Sequence, residues 1–279
     1  MAGRQRHEGR AGSTGPTLSV TVRRAARLAA GTVALVGGVW CSSVAGASQT
    51  RSGGRDGGGT TWPPDPSADV QPPAIPDSVS VTQAQSWLAG ALQLRAQELT
   101  SLENDVSNAD NLPPSVRTQL NGDLTTASNG IAGLTASVQK ASTLAALRVD
   151  ATAMVLAYRV FSVVEPEVHL TVVAERQLGV ARQISGLQPG LETAIKTEQG
   201  SRTGTTLEGL EATLTSDLAT LQSSAGAVVT DMATVSPSSY GTAVPVISAD
   251  TKVVSNDWGT VSNARGVVGR ILSLLAGQA

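Results

Sequence analysis

The sequence predicts an all-α fold, an elongated antiparallel bundle of about five long helices with coiled-coil-like packing. Apolar residues recur at spacings of three and four through most of the chain after residue 80, which is the period of an α-helix. Strand patterns are limited to short valine runs, and aromatic residues make up only 3% of the chain. Short turns between long periodic segments favour antiparallel neighbours.

Residues 1–47 have the layout of a signal peptide. Three arginines at residues 23–27 precede an apolar run of 20 residues that ends in Ala45-Gly46-Ala47, and signal peptidase accepts this small-x-small pattern. We expect cleavage after Ala47 and a secreted or cell-envelope protein. A transmembrane anchor is the competing interpretation, since about 20 apolar residues can cross a bilayer. An uncleaved anchor is the only membrane contact that we expect.

Removal of this segment changes the charge of the chain. Six arginines and one glutamate leave with it, so that 14 basic and 21 acidic residues remain, a net charge of −7. This sign disfavours nucleic acid as a partner, because nucleic-acid binding needs clustered Lys and Arg. Cys41 also leaves, and without it the mature chain has no cysteine for a disulfide or a thiolate metal site.

Residues 48–80 are predicted to be a disordered linker. The runs "GGRDGGGTTWPPDP" and "QPPAIPD" have no apolar periodicity, and such segments bury too little surface to offset their ordering entropy. Trp62 is the only aromatic residue in the linker; we interpret it as incidental, with a docking role as the alternative. The helical-bundle domain then spans residues 81–279.

The first two helices lie on either side of Pro113-Pro114. Thr82 and Gln85 form a capping-box pattern that predicts the start of the first helix. The second helix is expected from about Ser115 to Lys140. It is weakened by its glycines, each of which costs about 1 kcal/mol relative to alanine. The predicted core stripe of the first helix is Leu88, Leu92, Leu99, Leu102, Val106 and Ala109, and the glycines of the second are Gly122, Gly130 and Gly133.

The third helical region is expected from Ser142 to Gly200, with kinks at Pro166 and Pro189. Two arrangements are open. The region either bends into a single bundle or runs straight and links a front three-helix bundle to a rear one, which we favour. In the second arrangement the stretch 153–164, almost entirely apolar, must be covered on nearly every side.

The last two helices carry the most regular apolar spacing. Thr205 and Glu208 are in capping-box register and predict the start of the fourth helix. The turn "SPSSYG" follows, and the last helix is expected after Pro245. Its apolar positions, among them Trp258, alternate steps of four and three, which is typical of a coiled-coil seam.

The stretch "AYRVFSVVEPEVHL", residues 157–170, holds the candidate site. Glu165 and His169 are four apart and would share a helix face, but a zinc site needs three or four ligands and the mature chain has one histidine. Glu165 and Glu167 are two apart, so on a helix they point to different sides and cannot flank one substrate. We therefore expect no metal, no cofactor and no catalytic residue.

Arg159 is the one charge inside the stretch 153–164. Its neighbours four residues away on either side are valines, so it has no acidic partner on its own helix face. If the stretch is enclosed, the guanidinium must meet carboxylates or carbonyls of another helix, because an unpaired buried charge is too costly. The candidate carboxylates are Glu98, Glu103, Asp217 and Asp231.

The motif "YRVFSVVEP" resembles a pattern in secreted helical proteins of unknown function encoded in high-GC Gram-positive genomes. The residues that match it are Tyr158, Arg159, Val160, Phe161 and Pro166, together with Ser236, Pro237 and Tyr240 of the later turn. The chain departs from the pattern at Glu165, where an apolar residue is expected. The resemblance implies an exported helical protein and no activity.

These observations favour an exported, non-enzymatic helical-bundle protein that acts through protein–protein contacts. The alternative is a binding module that holds a small apolar ligand in the bundle core or groove, in a cavity lined by Val155, Tyr158, Phe161 or Trp258. An enzyme ranks third. The residues with a structural or ligand-pocket role are Val155, Tyr158, Arg159, Phe161, Pro166, His169 and Trp258.

Overall fold

The structure, a computed structural model, describes Trp62 and residues 70–277, and this part of the chain is all-α as predicted. No described residue lies in a strand. Five helices have 21 to 36 residues and two have 10. They are α1 Val81–Asn108, α2 Pro114–Lys140, α3 Leu144–Ala153, α4 Glu165–Ser185, α5 Gln188–Thr197, α6 Arg202–Met232 and α7 Tyr240–Leu275.

The predicted signal peptide, residues 1–47, lies outside the described residues, as do residues 48–61 and 63–69 of the predicted linker. None of the helices that the structure describes is long and apolar enough to cross a membrane.

The described part of the predicted linker contributes to the core. Ile75 and Val79 are buried among the residues of α1 and α3, and the guanidinium of Arg148 in α3 donates to the Ile75 carbonyl at 2.7 and 2.9 Å. The ring of Trp62 lies 5.3 Å from that of Trp87 in α1. The structure thus differs from the linker prediction here, because a few apolar anchors suffice to hold a segment that has no periodicity.

The first residues of α1 and α6 differ from the capping patterns predicted for them. The hydroxyl of Ser80 accepts from the Gln83 amide, and the Gln83 side chain accepts from the Ser80 amide, which is a complete capping box. Helix α6 is capped by Ser201, whose hydroxyl accepts from the Gly204 amide at 2.9 Å. The predicted starts at Thr82 and Thr205 were wrong, because serines slightly upstream have the extended backbone that a cap requires.

Helix α7 begins at Tyr240, so that Pro245 lies inside it. The prediction that the helix follows Pro245 was wrong. A 3₁₀ turn, Pro237–Ser239, precedes the helix, and Ser236 and Ser239 form a reciprocal cap around it. This turn starts the helix early enough for the proline to fall in its second turn.

Three groups of buried apolar residues hold the helices together, and α4 contributes to each of them. The front core joins α1, α2 and α3 to the start of α4; the middle core joins α4, α6 and α7; the rear core joins the end of α4 to α5, α6 and α7. Representative members are Leu88, Leu124 and Val168 in the front core, Leu170, Val228 and Val254 in the middle core, and Val180, Leu221 and Val261 in the rear core.

The path between α3 and α4 is broken at Arg159 and not kinked at Pro166. Two π-helical turns, Met154–Tyr158 and Val160–Val164, lie on either side of Arg159, which has φ 39° and ψ 49°. Pro166 lies in the first turn of α4, where its missing amide hydrogen costs little. Pro189 has the same place in α5. The prolines therefore lie at helix starts, and the regular helix is interrupted at the arginine.

Candidate functional site

The broken segment Met154–Val164 is the most unusual backbone in the described part of the chain. Arg159 is the one non-glycine residue with a positive φ among the described residues. A left-handed conformation costs an L-residue about 1–2 kcal/mol, and π-helical turns often mark functional sites. Strain of this kind persists only where surrounding contacts hold it. The segment is therefore the first place to look for a function.

Arg159 is buried, as the sequence predicts, with 8% of its surface exposed. Its guanidinium carbon lies 3.6 Å from the centre of the Tyr240 ring, so the contact is a stacked cation–π interaction. The turn "SPSSY" and the motif "YRVF" thus meet at this contact.

Three of the four carboxylates predicted as partners of Arg159 interact with other residues. Glu103 accepts a hydrogen bond from the Ser128 hydroxyl at 3.2 Å, and Asp217 accepts one from the Asn263 amide at 2.7 Å. Burial and, to a smaller extent, the negative charge of Asp231 raise the pKa of Asp250. Sequence reasoning considered carboxylates and carbonyls and overlooked the aromatic ring.

A second buried arginine, Arg95 of α1, was missed by the sequence analysis. It is 0% exposed, donates to the Ala91 carbonyl at 3.1 Å and places its guanidinium carbon 5.1 Å from the centre of the Phe161 ring. The signal was present, because Arg95 occupies the next position of the stripe between Leu92 and Leu99. A charge at a core position of a regular stripe indicates a buried cation.

The aromatic residues of the stretch contact different helices. The ring of Tyr158 lies directly over Gly130 of α2, so closely that a Cβ at this glycine would overlap the ring. Phe161 faces α1 through Arg95. The stretch 153–164 is covered on these sides but not on all sides, since Leu156 and Ala157 are exposed. The prediction of nearly complete cover was wrong there.

The residues proposed for a ligand pocket are not all brought together. Val155 is fully buried in the front core, and Tyr158 packs against that core. Trp258 packs against the middle and rear cores. The structure therefore places Trp258 in a different part of the core from Val155 and Tyr158.

His169 lies beside an acid and not in a metal cluster. Its Nε2 is 3.5 Å from Oδ2 of Asp105 at the end of α1. Within residues 70–277 and Trp62, no three His, Cys, Asp or Glu side chains are grouped closely enough to hold a metal ion. Glu165 and Glu167 lie in the first turn of α4.

Several carboxyl groups are buried between helices. Glu167 is 3% exposed; burial, with a smaller contribution from the negative charge of Asp123, raises the pKa of Glu167 to about 8. Burial, together with Asp231, raises the pKa of Asp250 to about 6. Asp257 accepts from the Ser224 hydroxyl at 2.7 Å, and Asp150 accepts from Ser137 at 2.9 Å. Raised pKa values also occur at catalytic sites, but the depth of Glu167 shields it from a dissolved substrate.

An apolar stripe lies on the outer face of α3 and of the first π-helical turn. We call Val149, Thr152, Ala153 and Leu156 the α3 stripe; they follow helical spacing, and Val149 and Leu156 are 68% and 44% exposed. They line an open groove of about 560 Å³ together with Arg148 and Ala157. The Arg148 guanidinium forms an ion pair with Asp77 and donates to the Ile75 carbonyl, so the groove is essentially uncharged.

Comparisons with known proteins returned nothing: the chain matches no protein-family model, no curated protein and no solved structure.

Proposed function

We propose that the protein is exported and non-enzymatic, and that it acts in the cell envelope or outside the cell by binding another protein. The α3 stripe is the observation that carries the proposal. Isolated exposed apolar residues are common on protein surfaces, whereas apolar side chains at helical spacing, bordering a groove, are typical of a face that packs against another helix.

The chemistry of the groove indicates the partner. Its lining offers methyl and methylene groups, the Thr152 hydroxyl, which donates to the Arg148 carbonyl, and one arginine that already has partners. A complementary surface is therefore mainly apolar and uncharged. From Val149 to Leu156 the stripe is about 10 Å long at 1.5 Å per residue. Two turns of an amphipathic helix match this length. The small area suits a transient contact and not an obligate one.

The export part of the proposal rests on the N-terminal sequence. The small-x-small pattern at Ala45–Ala47 supports cleavage there, so secreted material should begin at Ser48. N-terminal sequencing of the protein from culture medium tests this. Recovery only from membranes, with residues 28–47 still attached, would contradict it and favour an anchor.

The binding part is tested by site-specific photo-crosslinking in the native cells. A photoreactive phenylalanine analogue at Val149 or Leu156 should yield a covalent adduct with one protein, and the same analogue at Thr213, an exposed position on α6, should not. The captured protein, once purified, should bind the wild type and the Thr213→Glu control but not the Val149→Glu/Leu156→Glu variant.

Two outcomes would contradict this function. Equal crosslinking at all three positions would show that the stripe is ordinary surface. A dimer in light scattering that dissociates only in the Val149→Glu/Leu156→Glu variant would assign the stripe to a second copy of the chain.

A further inference from the structure

We propose that Asp231 of α6 and Asp250 of α7 form a binding site for a hard divalent cation, Ca²⁺ or Mg²⁺, between these two helices. The inference goes beyond the proposed binding role of the α3 stripe and does not depend on it. The cation would steady one end of the helix pair, whereas the apolar cores hold the fold without it.

Polar side chains join α6 and α7 at regular intervals, and we call these facing pairs the polar ladder. In its first rung, the side-chain amide of Asn263 donates to the Asp217 carboxylate at 2.7 Å. In its second rung, seven residues further along α6, the Ser224 hydroxyl donates to Asp257 at 2.7 Å. The residue numbers rise on α6 and fall on α7, so the two helices are antiparallel. In both rungs a carboxylate receives a hydrogen bond from a neutral group of the other helix.

The third rung of the ladder has an acid on both sides. Asp231 follows Ser224 by seven residues, and Asp250 precedes Asp257 by seven, so the two carboxylates face each other in the same register. Asp250 is 6% exposed, and its Oδ2 atom is buried without a hydrogen-bond partner. Since a buried polar atom normally has a partner, this oxygen points to a ligand that the two helices do not supply.

The electrostatics of the third rung favour a cation. Burial and, to a smaller extent, Asp231 raise the pKa of Asp250 to about 6, which still leaves this carboxyl mostly ionised at neutral pH. The last turn of α6, which contains Asp231, has no basic residue, and the negative end of the helix dipole lies there. Two carboxylates and a helix C-terminus therefore place negative charge at one point.

The oxygen ligands determine which cation fits. Carboxylates suit Ca²⁺ and Mg²⁺, and Mg²⁺ commonly uses only one or two carboxylates and keeps several waters. Asp231 is exposed, so the cation can enter from the solvent and keep water on that side. With two protein carboxylates the dissociation constant should be about 1 mM, as in extracellular calcium modules. The site should then fill only when the cation is added, and a chelator alone should change little.

Thermal unfolding with added cation tests the site. At neutral pH and constant ionic strength, CaCl₂ at about 10 mM should raise the unfolding midpoint of the wild type by about 3–6 °C, the shift that a dissociation constant of about 1 mM gives. MgCl₂ should act in the same direction. Asp250→Asn should lose the shift, because an amide brings no charge to the cation.

Asp257→Asn is the matched control. Asp257 is similarly buried, with 4% of its surface exposed, and lies seven residues further along the same helix, but it faces a serine hydroxyl. This variant should keep the cation-induced shift. Each variant is compared with itself, with and without cation, so the effect of the substitution on stability does not enter the comparison.

The position of the cation is found from the amide NMR spectrum. In the wild type, CaCl₂ should progressively shift the amide signals of residues 228–234 and 247–254, which flank the third rung, and leave those of α1 and α2 unchanged. Shifts that spread over all acidic surfaces alike would contradict a defined site.

Three results of the unfolding experiment would overturn the proposal. They are a midpoint that neither CaCl₂ nor MgCl₂ changes, an equal shift in the wild type and Asp250→Asn, and an equal loss of the shift in Asp250→Asn and Asp257→Asn. The first would leave the third rung as two acids without a cation. The second would assign the cation to other acids of the chain.

Discussion

At the scale of single residues, Arg159 combines a strained backbone with a buried charge. The left-handed conformation costs about 1–2 kcal/mol. A desolvated cation–π contact contributes about 2 kcal/mol or more, and the guanidinium lies 3.6 Å from the Tyr240 ring centre. The two magnitudes are comparable, so the ring contact can offset the backbone strain.

Replacement of Arg159 should therefore be costly. We expect Arg159→Ala to lower the free energy of unfolding by about 2 kcal/mol or more, because alanine keeps the backbone strain and loses the ring contact. Arg270→Ala, at an exposed position of α7, is the control and should stay within about 0.5 kcal/mol of the wild type. Urea unfolding followed by circular dichroism measures both. Equal, negligible shifts would show that the contact contributes nothing.

Glu167 should make the stability of the protein depend on pH. Its pKa is raised from 4.5 to about 8 by burial and by Asp123, so the folded state binds the proton more tightly than the unfolded state. The resulting stabilisation is complete below pH 4.5 and is lost as pH rises through 8.

Glu167→Gln removes this dependence. The variant should match the wild type near pH 4 and exceed it by more than about 1 kcal/mol at pH 9, since one pKa unit corresponds to about 1.4 kcal/mol. Glu208→Gln, on the exposed face of α6, is the control. Parallel stability curves for the wild type and Glu167→Gln between pH 4 and 9 would refute the raised pKa of Glu167.

At the scale of helices, the regular apolar stripes were the predictable part. Leu88, Leu92 and Leu99 of α1 are buried, because a stripe repeated over many turns leaves a helix one way to pack. The same stripe indicated that Arg95 is buried, because this residue occupies one of the core positions. The break at Arg159 could not be predicted, because the Tyr240 ring that stacks on its guanidinium comes from a residue far along the chain. The predicted starts of α1 and α6 were wrong by a few residues, because several nearby Ser and Thr residues were suitable caps.

Glycines of α2 have different roles that the sequence alone does not separate. Gly130 is covered by Tyr158, whereas a Cβ at Gly133 would meet nothing within 4 Å. Gly133→Ala should stabilise the protein by up to about 1 kcal/mol through helix propensity. Gly130→Ala must displace the Tyr158 ring and should leave the protein about 1–3 kcal/mol less stable than Gly133→Ala. Thermal unfolding compares them, and equal stabilities would show that the ring moves away freely.

At the scale of the whole molecule, three apolar cores hold the described helices together. In the part of the chain that the structure describes, no three potential metal ligands are grouped. We expect a chelator to leave the far-UV circular dichroism and the unfolding midpoint unchanged. A large loss of helix on chelation would point to a metal held by side chains such as Asp105 and His169, and repeating the measurement with added zinc would identify the response.

The sharing of α4 among the three cores predicts that the described domain unfolds as one unit. Val168 belongs to the front core, Leu170 to the middle core and Val180 to the rear core, so loss of α4 from one core removes it from the others. The adjacent residues Val163 and Val164 likewise belong to the middle and front cores. Unfolding should then be a single transition for probes in either half.

The tryptophans report on the two halves separately. In the chain from Ser48, Trp258→Phe leaves Trp62 and Trp87 at the front core, and Trp62→Phe/Trp87→Phe leaves Trp258 between the middle and rear cores. Within each variant, the urea midpoint from fluorescence should coincide with that from circular dichroism if the domain unfolds in one transition. Each variant is compared only with itself, so any effect of the substitutions on stability does not enter the comparison. A front midpoint that departs from the helix signal would show that the front core unfolds independently, and α4 would then couple the cores too weakly to make the domain cooperative.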